Sequence, residues 1–255
     1  MNNVGFMQGR LVDQIEGKIQ AFPTLQWEEE FEIANQLGIL LMEWTIDDFN
    51  FEKNPLMTKN GREKINFLCK KYNLRINSLT ADCVMQTPFW LEIAEKQRKL
   101  KEKFISMVKA CHDAKIKIIV LPVVDNGSIN NLNEEISLRN FLITNKNLFE
   151  KLNVKIAFES DLPPKKLLQF INKFPDSCFG INYDIGNSAS LGFDTKEEIA
   201  TYGSRILNVH VKDRLHNGST VPLGNGNADF ESTFNELNKI NYKGDFILQT
   251  ARAED

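Results

Sequence analysis

Arg205-Ile-Leu-Asn-Val-His-Val-Lys-Asp-Arg214 alternates cleanly between apolar and polar side chains. In an extended strand Leu207, Val209 and Val211 fall on one side, and Asn208, His210 and Lys212 on the other. Such a strand packs one side into a layer and aims a histidine away from it. Three more short runs end in the same way: Val154-Lys-Ile-Ala-Phe-Glu159, Phe179-Gly-Ile-Asn-Tyr-Asp184 and Asp245-Phe-Ile-Leu-Gln249. In each, the closing polar residue has the parity opposite to its apolar neighbours. If the four strands are parallel neighbours, Glu159, Asp184, His210 and Gln249 converge, and the pattern reads as a metal site at one end of a barrel.

Working outward, strand-like and helix-like segments alternate along the whole chain. Strands are expected over 4–8, 39–44, 75–80, 116–124, 154–159, 179–184, 206–211 and 245–250. Helices are expected over 27–37, 60–72, 91–114, 134–152, from Pro163-Pro164 onward, over 195–203 and over 230–240. The run 116–124 is continuously apolar, as in strands buried on both faces. Repeated β–α alternation favours parallel strands with helical crossovers, and eight such units favour closure. No G-x-G-x-x-G follows the first strand, which weakens a dinucleotide-binding sheet. The expectation is α/β, a single (β/α)8 TIM barrel over 1–255, of the roughly 250 residues that fold takes. The chain stops where an eighth helix would begin. Either the outer ring lacks its final helix, or a second copy or the loop 12–26 covers that seam, which makes a homo-oligomer an open expectation.

Net charge is −3 with pI near 5.8, and the basic residues are scattered, which argues against nucleic acid as a partner. Cys69, Cys83, Cys111 and Cys178 show no C-x-x-C spacing and read as buried thiols in a reducing compartment. With no leader-like N-terminus and no apolar run of membrane-spanning length, the expectation is a cytoplasmic protein without a membrane partner.

Glu159, Asp184 and His210 offer two carboxylates and an imidazole, and Gln249 an amide carbonyl. Oxygen and nitrogen ligands without thiolate suit a divalent ion, with Mn²⁺ put first and Mg²⁺, Co²⁺ or Zn²⁺ as alternatives. Any one of these residues alone reads as a solvated strand end. Four at matching parity on successive strands read as a site.

The run Asn208-Val-His-Val-Lys-Asp-Arg214 followed by Val221-Pro-Leu-Gly-Asn-Gly-Asn-Ala-Asp-Phe230 resembles the xylose isomerase-like TIM-barrel superfamily, in its sugar and sugar-phosphate isomerase/epimerase branch. Asn182-Tyr-Asp-Ile-Gly-Asn187, Phe158-Glu-Ser160, Phe22-Pro-Thr-Leu-Gln-Trp27, Gly38 and Glu43 extend the resemblance over nearly the whole chain. It implies a divalent metal held by Glu, Asp, His and Glu from strands five to eight. The first three carry over onto Glu159, Asp184 and His210; the fourth position holds Gln249.

That departure bears on chemistry. The resemblance implies an enediolate formed beside a ketose carbonyl, with carboxylates of strands five and eight serving opposite faces of the sugar. A carboxamide is no general base at neutral pH. Same-face isomerisation survives with Glu159 as the one base, so the sequence leans to isomerisation over epimerisation. Glu254 is a remote substitute acid. The alternative is a non-catalytic or altered sugar-binding barrel in which Gln249 has replaced the second catalytic acid. An abasic-site nuclease, of the same fold, is disfavoured by only three histidines.

Other candidates follow from position. Lys212 stabilises enediolate charge, or else pairs with Asp184 or Asp213. Glu43 accepts sugar hydroxyls, or is a satisfied barrel-mouth carboxylate. Arg10, Arg214 and Arg252 lie just past strands one, seven and eight and suit a phosphate. Asn187, Asp213 and His216 complete the substrate-side set, with His216 also readable as a solvated loop residue. Trp44 is expected in the core. Phe89-Trp90 is either an apolar lid or loop packing onto the following helix.

Overall fold

The computed structural model describes residues 3–252. Eight parallel strands close into a barrel: β1 (Val4–Met7), β2 (Leu41–Thr45), β3 (Arg75–Thr80), β4 (Ile118–Val123), β5 (Lys155–Ser160), β6 (Phe179–Asp184), β7 (Ile206–Val211) and β8 (Asp245–Leu248), with β8 hydrogen-bonded to β1. The expected TIM barrel is therefore present, and its sequential strand order makes Glu159, Asp184, His210 and Gln249 close four adjacent strands.

The helices that cover it are α1 (Glu29–Leu37), α2 (Lys59–Lys71), α3 (Asp82–Gln86), α4 (Ala94–Asp113), α5 (Leu132–Thr144), α6 (Lys146–Leu152), α7 (Pro164–Ile171), α8 (Ile185–Leu191), α9 (Thr195–Tyr202) and α10 (Phe230–Lys239). The single helix expected over 134–152 is two, parted at Asn145. The short helices α3 and α8 stand where the sequence reads as loop. Among the described residues no helix follows β8, and Glu254 lies outside them. Nor is any helix there long and apolar enough to cross a membrane.

Strand alternation sorts the side chains into two layers. Outward-facing Trp44, Leu79, Ile119, Phe158, Ile181, Tyr183, Val209 and Val211 join the helices in one continuous core. Phe158 packs on Phe170 and Phe174 with ring centroids 5.0 and 4.9 Å away. Contacts of this kind contribute about 0.5–1.5 kcal/mol each, and by holding Phe158 outward they turn its neighbour Glu159 inward. Phe89 and Trp90 are buried, with Phe89 on Phe104 and Phe141, so that pair packs the loop onto α4 and α5 and is no lid.

The interior of the barrel is largely polar. Met7, Leu41 and Ile247 form a small apolar cluster apart from the main core. Around them stand Glu43, Ser78, Thr80, Asn182, Asn208 and His210, all buried. Two register shifts set this layer: Asn77 of β3 is bypassed opposite Met42/Glu43, and Leu207 of β7 opposite Ile181/Asn182. Each bulge re-aims the residues beyond it, placing Ser78 beside Glu43 and Asn208 beside Asn182.

Candidate metal centre

At the C-terminal mouth of the barrel, β5, β6 and β7 deliver Glu159, Asp184 and His210. Their ligand atoms all lie within 4.8 Å of one another, and among the described residues this is the one such group of His, Cys and acidic side chains. His210 Nδ1 is 3.2 Å from Glu159 Oε2 and 3.9 Å from Asp184 Oδ2. Behind the ring, His210 Nε2 meets Glu43 Oε1 at 2.7 Å with both side chains fully buried. A carboxylate that takes one ring N–H and turns the other nitrogen to a ligand cluster is the usual support for a metal-bound histidine.

Hydrogen bonds fix the carboxylates. Glu159 Oε2 accepts from Asn182 Nδ2 and Oε1 from Asn187 Nδ2, both at 2.8 Å. Asp184 Oδ1 accepts the backbone N–H of Asn187 at 2.8 Å, so the same residue caps α8. That cap explains a helix over Ile-Gly-Asn-Ser-Ala-Ser-Leu, a run of modest helical propensity. Lys212 Nζ donates to Asp184 Oδ2 at 2.8 Å and to Asn187 Oδ1 at 3.2 Å. Gly186 makes that approach feasible, since a Cβ there would lie 2.7 Å from Lys212 Cγ. Arg214 Nη1 donates to Asn187 Oδ1 at 2.8 Å while its Nη2 holds the Gly218 carbonyl.

Gln249 follows β8, whose Ile247 pairs in register with His210, so its side chain takes the inward parity. It is buried, and its Oε1 has no hydrogen-bond partner. A buried carbonyl oxygen without a donor is costly and is the donor type a hard divalent cation accepts. Two carboxylates, an imidazole and this carbonyl fit a divalent ion without thiolate ligands. Electrostatics agree. Burial alone would lower the His210 pKa, but Glu43 and Glu159 outweigh it and push it up to about 10, while His210 holds Glu43 below its ordinary range against burial. An ion at Nδ1 would take the place of that proton.

Glu43, Asp213 and His216, expected as substrate contacts, are placed elsewhere. Glu43 is not open to a sugar: its oxygens accept from Ser78, Thr80, Asn208 and His210, the satisfied carboxylate of the two readings. Asp213 is turned from the mouth to hold its own loop, accepting from the N–H groups of Gly224, Gly226 and Ala228. His216 is exposed and packs against Gly192. Arg10 and Arg252 meet near the ends of β1 and β8. Arg252 Nη1 donates to Val12 O at 2.7 Å and Nη2 to Gly9 O, while Arg10 Nη1 donates to Ile19 O. The Nε of each is buried without a partner. Burial, then Arg252, lowers Arg10 to about 10. A cavity of about 290 Å³ against Gln20, Phe22, Asp47, Lys53 and Gln86 has none of the three triad residues in its lining.

The sequence reading passed over Asn182, Ser78, Thr80, Glu30 and Asp82. Asn182 was within reach of the parity rule, standing two residues before Asp184 on the same side of β6. Asp82 stands beyond the end of β3, where strand parity stops applying.

Residues 31–255 match the family model described as xylose isomerase-like TIM barrel. The L-ribulose-5-phosphate 3-epimerase UlaE of Salmonella typhi is 24% identical over 232 residues, covering 88% of this chain and 81% of that one. Among solved structures, D-psicose 3-epimerase crystallised in the presence of D-fructose superposes with TM-score 0.75 at 12% identity, covering 98% of this chain and 85% of that one. The IOLI protein with a bound zinc atom superposes with TM-score 0.72 at 15% identity, over 98% and 89% of the two chains.

Proposed function

The chain belongs to the xylose isomerase-like TIM-barrel family, and from that premise we propose that it is a sugar-phosphate epimerase or isomerase that moves a proton at the carbon beside a ketose carbonyl. The observation that carries this reading is the Glu159–Asp184–His210 ring at the barrel mouth, backed by Glu43 and faced by the unpartnered carbonyl of Gln249. The name borne by the Salmonella relative moves the weight from isomerisation to epimerisation, with a pentulose 5-phosphate as the substrate class.

Glu159, Asp184, His210 and Gln249 would hold a divalent cation, Mn²⁺ for preference, which when bound supplies Lewis acidity to the ketose carbonyl. Glu159, its carboxylate oriented by Asn182 and Asn187, is the base that takes the proton from carbon. Lys212 sets a positive charge beside Asp184, where oxygen gains negative charge as that proton leaves. Arg10 and Arg252, with partnerless Nε groups, supply the pocket for the phosphate.

The test is a panel of ketopentoses and their 5-phosphates, followed by NMR with metal-stripped and Mn²⁺-loaded protein. Conversion should require the ion and favour the phosphates, and Arg252→Ala should raise KM for the phosphate about 10-fold or more with little change for the free sugar. Failure to convert any ketose, together with no Mn²⁺-dependent thermal stabilisation, would overturn the reading and leave a sugar-binding barrel.

A further inference from the structure

We propose that Asp82 is the second proton-transfer group of this site, serving the face of the substrate carbon that Glu159 does not. The assignment rests on the reading above, because inversion at carbon needs one group to take a proton from one face and another to return one to the opposite face. Gln249 cannot be that second group.

Thr80, the last residue of β3, sends its Oγ1 into the barrel to Glu43, and Asp82 follows two residues later as the first residue of α3. The charged groups that face it are Asp47 from the loop after β2, Glu159 from β5, Arg10 from the loop after β1 and Glu43 from β2. Asp82 thus follows β3 at the C-terminal end of the barrel, the end at which Glu159, Asp184 and His210 stand. Asp82 is 6% exposed, and its Oδ2 is buried with no hydrogen-bond partner. The other buried acids here have donors: four for Glu43, three for Asp213, and the N–H groups of Gly9 and Leu11 for Glu30. Glu30 likewise leaves its Oε2 without a partner, but its Oε1 ties down the loop after β1, a structural task that no hydrogen bond gives Oδ2 of Asp82. Burial, then Asp47 and Glu159, push its pKa well up, which favours the protonated carboxyl that an acid needs. One carboxyl poised as acid near another that acts as base is the arrangement such chemistry uses.

The step balances without a redox partner. Glu159 takes the proton from the carbon beside the carbonyl, and that C–H pair becomes the carbon–carbon π bond while the carbonyl π pair moves onto its oxygen. On return, the oxygen pair re-forms the carbonyl and the π pair takes the proton of Asp82 on the opposite face. Glu159 ends protonated and Asp82 ionised, and exchange with water resets both.

The experiment uses the Mn²⁺-loaded full chain in D₂O with a pentulose 5-phosphate and, separately, its C3 epimer, followed by NMR. In Asp82→Asn, inversion from either epimer should fall by about 100-fold or more. The epimer that Glu159 deprotonates should still exchange its C3 proton at close to the wild-type rate, and the other should not. Asp82→Glu should recover part of the inversion, and the Mn²⁺ thermal shift should be unchanged in both variants. Inversion by Asp82→Asn within about threefold of wild type would overturn the assignment, since a true acid–base partner contributes far more. So would loss of exchange from both epimers together, or of the Mn²⁺ shift, which mark a merely structural acid. A wild type that neither inverts nor exchanges overturns the parent reading instead, and this assignment with it.

Discussion

His210 Nε2 stands 2.7 Å from Glu43 Oε1, a charge pair sealed inside the barrel one layer below the candidate ligands. The pair orients the imidazole so that Nδ1 faces Glu159 and Asp184. Glu43→Gln keeps an acceptor but removes the charge, and Mn²⁺ affinity should fall by about 10–100-fold by calorimetric titration. Glu43→Ala strands the imidazole in the interior and should cost about 3–5 kcal/mol in urea unfolding. Unchanged Mn²⁺ affinity in the glutamine variant would remove Glu43 from the metal centre.

Gln249→Glu tests whether the eighth strand reaches the ion. It adds a third carboxylate at the mouth, so the metal-free variant should be less stable, by about 2–4 °C in Tm per kcal/mol of added repulsion. Mn²⁺ binds a more anionic site more tightly and should stabilise the variant more than wild type in scanning fluorimetry. Equal Mn²⁺ shifts in the two proteins would mean that the Gln249 side chain is not a ligand.

Glu30 links stability to pH. Its Oε1 accepts from the N–H groups of Gly9 and Leu11 at 2.7 and 3.1 Å, while its Oε2 is buried without a partner. Burial, partly offset by those two N–H groups and by Arg252 and Arg10, raises its pKa from 4.5 to about 7. The native state therefore binds more protons than the unfolded chain between those values. The stability this contributes is fully present below about 4.5 and lost as pH rises through about 7. Glu30→Gln keeps the acceptor and removes the titration. Wild type should lose up to about 3 kcal/mol relative to the variant between pH 4 and 8 in urea titrations. A stability difference that does not change with pH would show that the Glu30 carboxyl titrates alike in the folded and unfolded chain.

The barrel and its ligand ring were legible because strand parity is a local property. Phe158 and Val209 must face the helices, so Glu159 and His210 must face in. Depth was not legible. Glu43 has the inward parity expected of it, but only the closed barrel shows it below the mouth, ringed by donors. The bulges that bypass Asn77 and Leu207 leave no mark in an alternating pattern. Asp213 looked substrate-facing because it follows His210 and Lys212, yet the turn beyond β7 gives its oxygens to three backbone N–H groups. Helix α8 was hidden because its decisive residue, Asp184, was already counted as a ligand and not as a cap.

Gly186 offers a test of how closely Lys212 must be held. A Cβ at this position would lie 2.7 and 2.9 Å from Lys212 Cγ and Cβ and 3.0 Å from its backbone carbon. The residue lies inside α8 with ordinary helical backbone, so alanine there is favourable by propensity and its effect comes from the clash alone. Either the start of α8 or the strand extension carrying Lys212 must give way by a few tenths of an ångström or more, moving Nζ off Asp184 and Asn187. Misplacements of this order cost up to about 100-fold in rate, so Gly186→Ala should lower kcat by about 10–100-fold while Tm falls by only a few degrees. Lys212→Met, which removes the amine without the clash, should match it in kcat and exceed it in Tm. Wild-type kcat in Gly186→Ala would show that Lys212 tolerates displacement, and that its contact with Asp184 is electrostatic ballast and not part of the proton-transfer geometry.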